Sequence, residues 1–172
     1  MSTRILVVDD ELDTLNLLRT ILEISGYAPI TTLNSVDALD LAEVENPDVV
    51  LLDIMMPKLD GFALCKLMRQ KETTQDLPII FVTAYEALDL EERRVEAGAD
   101  MVIHKPINMD ALIKAVEEVP ALRAAQAAAN RQAASAKSSN GTTPTTIQPP
   151  VSVTPPVTPD QPLTQPKPDQ KK

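Results

Sequence analysis

Reactive side chains stand directly behind four short apolar runs of this chain. Asp9-Asp10 follow Ile5–Val8, Asp53 follows Val49–Leu52, Thr83-Ala84 follow Ile79–Val82, and His104-Lys105-Pro106 follow Met101–Ile103. Three carboxylates gathered in one place repel and raise one another's pKa. A hard divalent cation removes that cost, and Mg²⁺ takes oxygen ligands in an octahedron while keeping several waters. Asp10 and Asp53 are therefore expected as direct ligands, with Asp9 acting through water. A backbone carbonyl just after Asp53 would be a further oxygen donor. A carboxylate can also attack phosphorus and form an aspartyl phosphate. The oxygens of a transferred phosphoryl group need neutralising. Mg²⁺, the Lys105 ammonium, and the Thr83 hydroxyl with nearby backbone N–H groups would share that task. Together these residues hold every part needed for phosphoryl transfer to Asp53.

Such convergence requires elements that bring the four places to one rim. The apolar runs are rich in Val and Ile and do not strictly alternate, as strands covered on both faces of a parallel sheet read. A weaker run, Ala28–Leu33, predicts a fifth, less buried strand, and Pro29 suits an edge. Helical spacing of Leu12, Leu15, Leu18, Ile21 and Leu22 predicts a first helix capped near Gly26. Ser35 is the expected N-cap of a helix over Val36–Val44. Further helices are expected at Phe62–Arg69, Leu90–Ala97 and Met109–Val119, the last capped by Asn108. Five βα units in succession predict an α/β fold, an open doubly wound parallel sheet with helices on both faces. Ligands of such sheets bind beyond the carboxyl ends of the strands, where the reactive residues fall.

Composition divides the 172 residues, whose net charge is −9. Residues 1–120 carry 10 Lys/Arg against 23 Asp/Glu, a net of −13, whereas residues 121–172 carry +4 and nine of the 15 prolines. The expected organisation is a domain over 1–120, an Ala-rich helical extension over 121–137, and a Pro/Thr-rich disordered tail over 138–172. Pro120 is expected to end the fifth helix or open a new one. A domain this acidic lacks the clustered Lys/Arg that phosphate backbones demand, so no nucleic-acid partner is expected for it. One cysteine excludes an internal disulfide framework and fits a reducing compartment. No apolar run has the length of a membrane span, and the N-terminus does not read as a signal peptide. A cytoplasmic location without membrane contact is the expectation.

The motifs Ile5-Leu6-Val7-Val8-Asp9-Asp10-Glu11, Leu51-Leu52-Asp53-Ile54-Met55-Met56-Pro57, Asp60-Gly61, Ile79-Ile80-Phe81-Val82-Thr83-Ala84 and His104-Lys105-Pro106 stand in this order. Each alone is common, but their succession over residues 3–119 resembles the receiver domain of two-component response regulators. The resemblance implies a flavodoxin-like fold with strand order 2-1-3-4-5. It implies Asp53 as phosphoacceptor, Asp9, Asp10, Asp53 and the Met55 carbonyl around Mg²⁺, Thr83 as switch hydroxyl and Lys105 as phosphoryl partner. A cis Lys105-Pro106 peptide is implied too, as are a histidine kinase or phosphotransfer protein as donor and a protein target downstream. Two positions depart from the family pattern. Val102 stands where an aromatic switch residue is frequent, and Ile107 stands where an aromatic often follows the proline. The switch is then expected to run through the Thr83–Leu88 loop, with Tyr85 as the moving ring, and the partner-facing surface to be the fourth helix, fifth strand and fifth helix.

An aspartyl-phosphate enzyme of the haloacid-dehalogenase type is the competing chemistry. It needs an Asp-x-Asp after the first strand, and Glu11 stands at the second of those positions. The chain therefore reads as a phosphate-accepting signalling module rather than a metabolic enzyme. His104 is expected to be a packed strand-end histidine, Cys65 a small core residue, and Glu91–Arg94 a solvated helix face. The Pro-x-x-Pro spacings of the tail are expected to be plain disordered chain rather than ligands.

Overall fold

The computed structural model describes residues 2–138, with side chains to residue 132. Five strands, β1 (Arg4–Val8), β2 (Ala28–Thr32), β3 (Val49–Leu52), β4 (Ile79–Thr83) and β5 (Met101–His104), alternate with five helices. The helices are α1 (Leu12–Ile24), α2 (Ala38–Glu45), α3 (Gly61–Gln70), α4 (Leu90–Ala97) and α5 (Met109–Ser138). All pairings are parallel, and the order across the sheet is β2-β1-β3-β4-β5. β2, with Pro29, lies at an edge and is only half-buried throughout.

Alternation along the strands sorts the apolar side chains into two cores. Leu6, Val8, Val50, Leu52 and Phe81 point into the layer with α2, α3 and α4. Ile5, Val7, Val49, Leu51, Ile80 and Val82 point to the opposite face, against Leu15, Leu18 and Leu22 of α1 and Leu112, Val116 and Val119 of α5. A strand covered on both faces has no polar position to spare, and β3 is buried at every residue.

Helix ends follow the expected chemistry in part. Gly26 adopts φ +85°, just past the Ser25 C-cap of α1. Its N–H donates to the Glu23 carbonyl and that of Tyr27 to Leu22, closing the helix in the left-handed way glycine permits. Asn108 caps α5, its Oδ1 accepting from the Ala111 N–H at 2.9 Å. Ser35 does not cap α2, which begins at Ala38 with Asp37 as N-cap. The buried Ser35 hydroxyl is turned away to donate to the Pro57 carbonyl at 3.2 Å, tying this segment to the loop after β3.

The fifth helix differs most from expectation. Pro120 neither ends nor opens a helix but lies inside α5. The ring removes one N–H from the helical ladder, yet side chains past it pack. Val119, Arg123 and Ala127 are all buried and spaced by four, so one stripe of α5 stays against the body after the proline. The expected tail lies outside the described residues, apart from Ser138.

Candidate functional site

Parallel strands in register carry their reactive neighbours to one rim. β1 and β3 pair as Val8↔Leu52, and the Asp53 N–H donates to the Val8 carbonyl at 2.9 Å. Asp9 and Asp53 thus leave the sheet side by side. β4 and β5 pair as Thr83↔His104, and the Lys105 N–H donates to the Thr83 carbonyl at 2.9 Å. The Lys105-Pro106 peptide is cis. A cleft of about 160 Å³ opens here, lined by Asp10, Glu11, Asp53, Met55, Ala84 and Lys105.

Asp9 and Asp53 are buried, whereas Asp10 faces solvent. One oxygen of Asp9, Oδ1, accepts from the Glu11 N–H at 2.9 Å. The other, Oδ2, accepts from the Lys105 ammonium at 2.8 Å. Lys105 Nζ also reaches Asp53 Oδ2 at 3.4 Å and lies 3.6 Å from Glu11 Oε2. Asp53 Oδ1 accepts from the backbone of Ile54 at 2.7 Å and of Met55 at 3.4 Å. Burial pushes the Asp9 carboxyl above its ordinary value, although the Lys105 and Glu11 hydrogen bonds pull the other way. Burial also works against the charge on Lys105. The Asp9 hydrogen bond and the Asp53 and Asp9 charges outweigh it and hold the ammonium above its usual pKa.

One ammonium against three carboxylates leaves an excess of negative charge. Ligand oxygens of Asp9, Asp10 and Asp53 lie within 4.8 Å of one another. The donors are all hard oxygens, and the exposed Asp10 leaves a side open to water. That set fits a hard divalent cation such as Mg²⁺.

Thr83 is fully buried and does not line the cleft; Ala84 does. The Thr83 hydroxyl accepts from the Tyr85 N–H at 3.1 Å. Tyr85 is itself engaged. Its ring meets Phe62 edge-on with centroids 6.0 Å apart, and its hydroxyl accepts from Arg93 at 2.8 Å. The Arg93 guanidinium lies 4.0 Å over the Phe62 ring. Arg94 donates to the Asp100 carbonyl at 3.1 Å. The arginines of α4 therefore do not form a purely solvated face, because each side chain folds back onto a neighbouring element.

Gly61 is a further positioning residue whose reason the sequence alone does not show. A Cβ there would stand 2.2 Å from the Asp53 carbonyl oxygen and 2.8 Å from Ile54 Cα. The Gly61 N–H donates to the Ile54 carbonyl at 2.9 Å, so α3 begins in direct contact with the backbone carrying Asp53. Asp60 caps that helix, accepting from the Ala63 N–H at 2.8 Å. The loop between includes Lys58 at φ +68°, a left-handed conformation costly for a residue with a side chain. His104, by contrast, is exposed rather than packed. It follows the buried Ile103 on the edge strand β5, on the Val102 side, where it borders an open cleft with Leu88 and Leu90. Cys65 is buried as expected, its thiol donating to the Ala97 carbonyl at 3.3 Å.

A doubly wound sheet with this order, bearing an acidic cluster and a lysine at its carboxyl rim, defines the class of signal-receiver domains. Known proteins agree. Residues 5–117 match the model of the response regulator receiver domain, and the chain belongs to that family. The response regulator MprA of Mycobacterium bovis is 39% identical over 113 residues, which cover 66% of this chain and 48% of MprA. The chain thus matches only about half the length of that relative. The polar-differentiation response regulator DivK of Brucella ovis is 33% identical over 117 residues, 68% of this chain and 95% of DivK. Among solved structures, chemotaxis protein CheY4 of Vibrio cholerae superposes with a TM-score of 0.66 at 26% identity, over 69% of this chain and 99% of that one. A CheY-like receiver domain protein of Methanospirillum hungatei gives 0.67 at 28% identity, over 73% and 99%.

Proposed function

We propose that this chain accepts a phosphoryl group on Asp53 from a histidine kinase or phosphotransfer protein and passes the signal to a protein target by a change of conformation. The carrying observation is the Lys105 ammonium held between Asp9 and Asp53, at 2.8 and 3.4 Å, at the mouth of an acidic cleft. In the reaction an Asp53 oxygen attacks phosphorus, the O–P bond forms, the N–P bond to the donor imidazole breaks, and the leaving ring nitrogen takes a proton from solvent to give neutral imidazole. Asp9, Asp10, Asp53 and the Met55 carbonyl would hold Mg²⁺, which supplies positive charge to the phosphoryl oxygens. Lys105 contributes a second positive charge beside Asp53, and it can exchange part of its contact with Asp9 for a phosphoryl oxygen. The Ile54 and Met55 amides orient the nucleophile by holding Asp53 Oδ1. The Thr83 hydroxyl, now an acceptor from Tyr85, turns toward the modified Asp53 as donor.

The same reading makes residues 1–120 the receiver, 121–137 an extension and 138–172 a tail. It carries no metabolic activity, a cytoplasmic setting, and no nucleic-acid or membrane partner for the domain. Among the described residues no helix is long and apolar enough to cross a membrane. Incubation with acetyl phosphate and Mg²⁺, followed by intact-mass measurement, tests the assignment. Wild type should gain one phosphoryl group labile to base and to hydroxylamine, while Asp53→Asn and wild type in excess chelator should not. Equal labelling of Asp53→Asn would overturn it.

A further inference from the structure

Opposite the acidic rim, α5 continues past Pro120 and is tied to the body by a cluster of charges that the phosphoacceptor chemistry does not use. Asp100, in the turn between α4 and β5, has its side chain fully buried. Its Oδ2 accepts from the Ile79 N–H at 2.8 Å and from Arg69 at 3.2 Å. Its Oδ1 has no hydrogen bond and faces Arg123 Nη1 of α5 at 3.7 Å. Arg123 is buried and donates to the Gln75 carbonyl. Outside it, Asp76 stands 3.9 Å from Arg123 and 2.9 Å from Arg131. One stripe of the extension is thus strapped over the turn before β4 and the turn before β5.

The turn bearing Asp100 is also the far end of α4. Of that eight-residue helix only Leu90 and Ala97 are buried, so it is lightly anchored by apolar contact. Two adjacent arginines fix it instead. Arg93 holds the Tyr85 hydroxyl at 2.8 Å, and Tyr85 in turn donates its N–H to the Thr83 hydroxyl at 3.1 Å. Arg94 holds the Asp100 carbonyl at 3.1 Å. A short, rigid helix therefore has the Thr83 loop at one end and the strap's buried counter-charge at the other.

We propose that the stretch of α5 from Ala121 to Arg131 is a conformational strap whose docking is linked to the state of the Asp53 site through α4, with docking favoured when that site is unmodified. The proposal rests on the phosphoacceptor reading. Drawing the Thr83 hydroxyl toward Asp53 requires the Tyr85 amide to follow or to lose its acceptor. Tyr85 carries Arg93, and α4 moves as a unit. Arg94 then displaces the Asp100 backbone. The 3.7 Å contact between Asp100 and Arg123 lacks a hydrogen bond and is the weakest link of the series, so it gives first. Its partner Arg123 then turns to solvent, and the strap loosens.

Linkage is reciprocal, so both directions can be read on the full-length chain. Beryllofluoride with Mg²⁺ is the probe. Amides from 121 to 131 should exchange with deuterium at least about five-fold faster when it is bound. Arg123→Ala should bind it about five-fold more tightly than wild type, and Asp76→Asn should shift affinity in the same direction. Asp76 is half-exposed, so that variant decides the matter should Arg123→Ala fail to fold. Wild-type binding with unchanged exchange at 121–131 and unchanged affinity in the variants overturns the strap and leaves the phosphoacceptor reading standing. Failure of the wild type to bind the probe removes both.

Discussion

Replacing Gly61 by alanine tests whether the start of α3 sets the position of the phosphoacceptor. The added Cβ would lie 2.2 Å from the Asp53 carbonyl oxygen, 2.8 Å from Ile54 Cα and 3.0 Å from the Asp53 carbonyl carbon. All three atoms are backbone, so no side chain can swing aside. An ordinary contact of about 3.4 Å requires the two segments to part by about 1 Å, and overpacking of that kind costs about 1–3 kcal/mol. The displaced segment carries Asp53 and the Ile54 and Met55 amides that hold its Oδ1. A shift of about 1 Å in a reacting group can slow a reaction by about a hundred-fold. Urea unfolding should therefore show a loss of about 1–3 kcal/mol. Labelling by acetyl phosphate should slow by ten-fold or more, to about a hundred-fold. The rate should fall even at temperatures where the variant is fully folded. A variant that folds with wild-type stability and labels at the wild-type rate would refute the idea that this approach positions Asp53.

Other outcomes follow from the same contacts. Lys105→Ala strips the cation from buried Asp9 and Asp53, which should cost about 2–4 kcal/mol without metal. Thermal melts should show Mg²⁺ raising the variant's Tm by more than the wild type's, because binding relieves the repulsion. A fragment ending at residue 119 loses Arg123 and opens Asp100 to water, whereas one ending at 136 keeps both. The shorter fragment should be less stable by about 1–3 kcal/mol in urea, and both should still accept phosphate. Burial pushes the Cys65 thiol up to about 11, so at pH 8 only about one molecule in a thousand carries the thiolate. Iodoacetamide should leave the native protein unlabelled at that pH over hours and modify it promptly in denaturant.

Much of this molecule is legible in sequence because its rules are local. Five βα units, the order of the motifs and the caps at Gly26 and Asn108 each depend on a few neighbouring residues. The parallel register then converts local strand ends into one rim, which is why Asp9, Asp53 and Lys105 meet although 96 positions separate the first from the last. Where residues do two jobs, the local reading fails. Ser35 has the chemistry of an N-cap, but its hydroxyl is spent on the Pro57 carbonyl across the rim. Arg93 and Arg94 have the spacing of a solvated face, yet one stacks on Phe62 and the other bonds the Asp100 carbonyl.

Pro120 is the instructive failure. By backbone chemistry a proline after Val119 predicts a boundary, and the Ala-rich sequence beyond it shows no large apolar side chain buried enough to contradict that. What keeps α5 continuous against the body is polar. Arg123 is the one long side chain of the following turn that lies buried, and its partners Asp100, Gln75 and Asp76 are distant in sequence. An apolar stripe announces itself by periodicity, whereas a single buried arginine in an exposed-looking helix reads as surface. Its burial becomes visible only when Asp100, also written among surface-type residues, is found facing it with an oxygen that nothing else bonds. A single buried charge thus carries the packed face of α5 beyond the proline, where no apolar stripe in the sequence announces it.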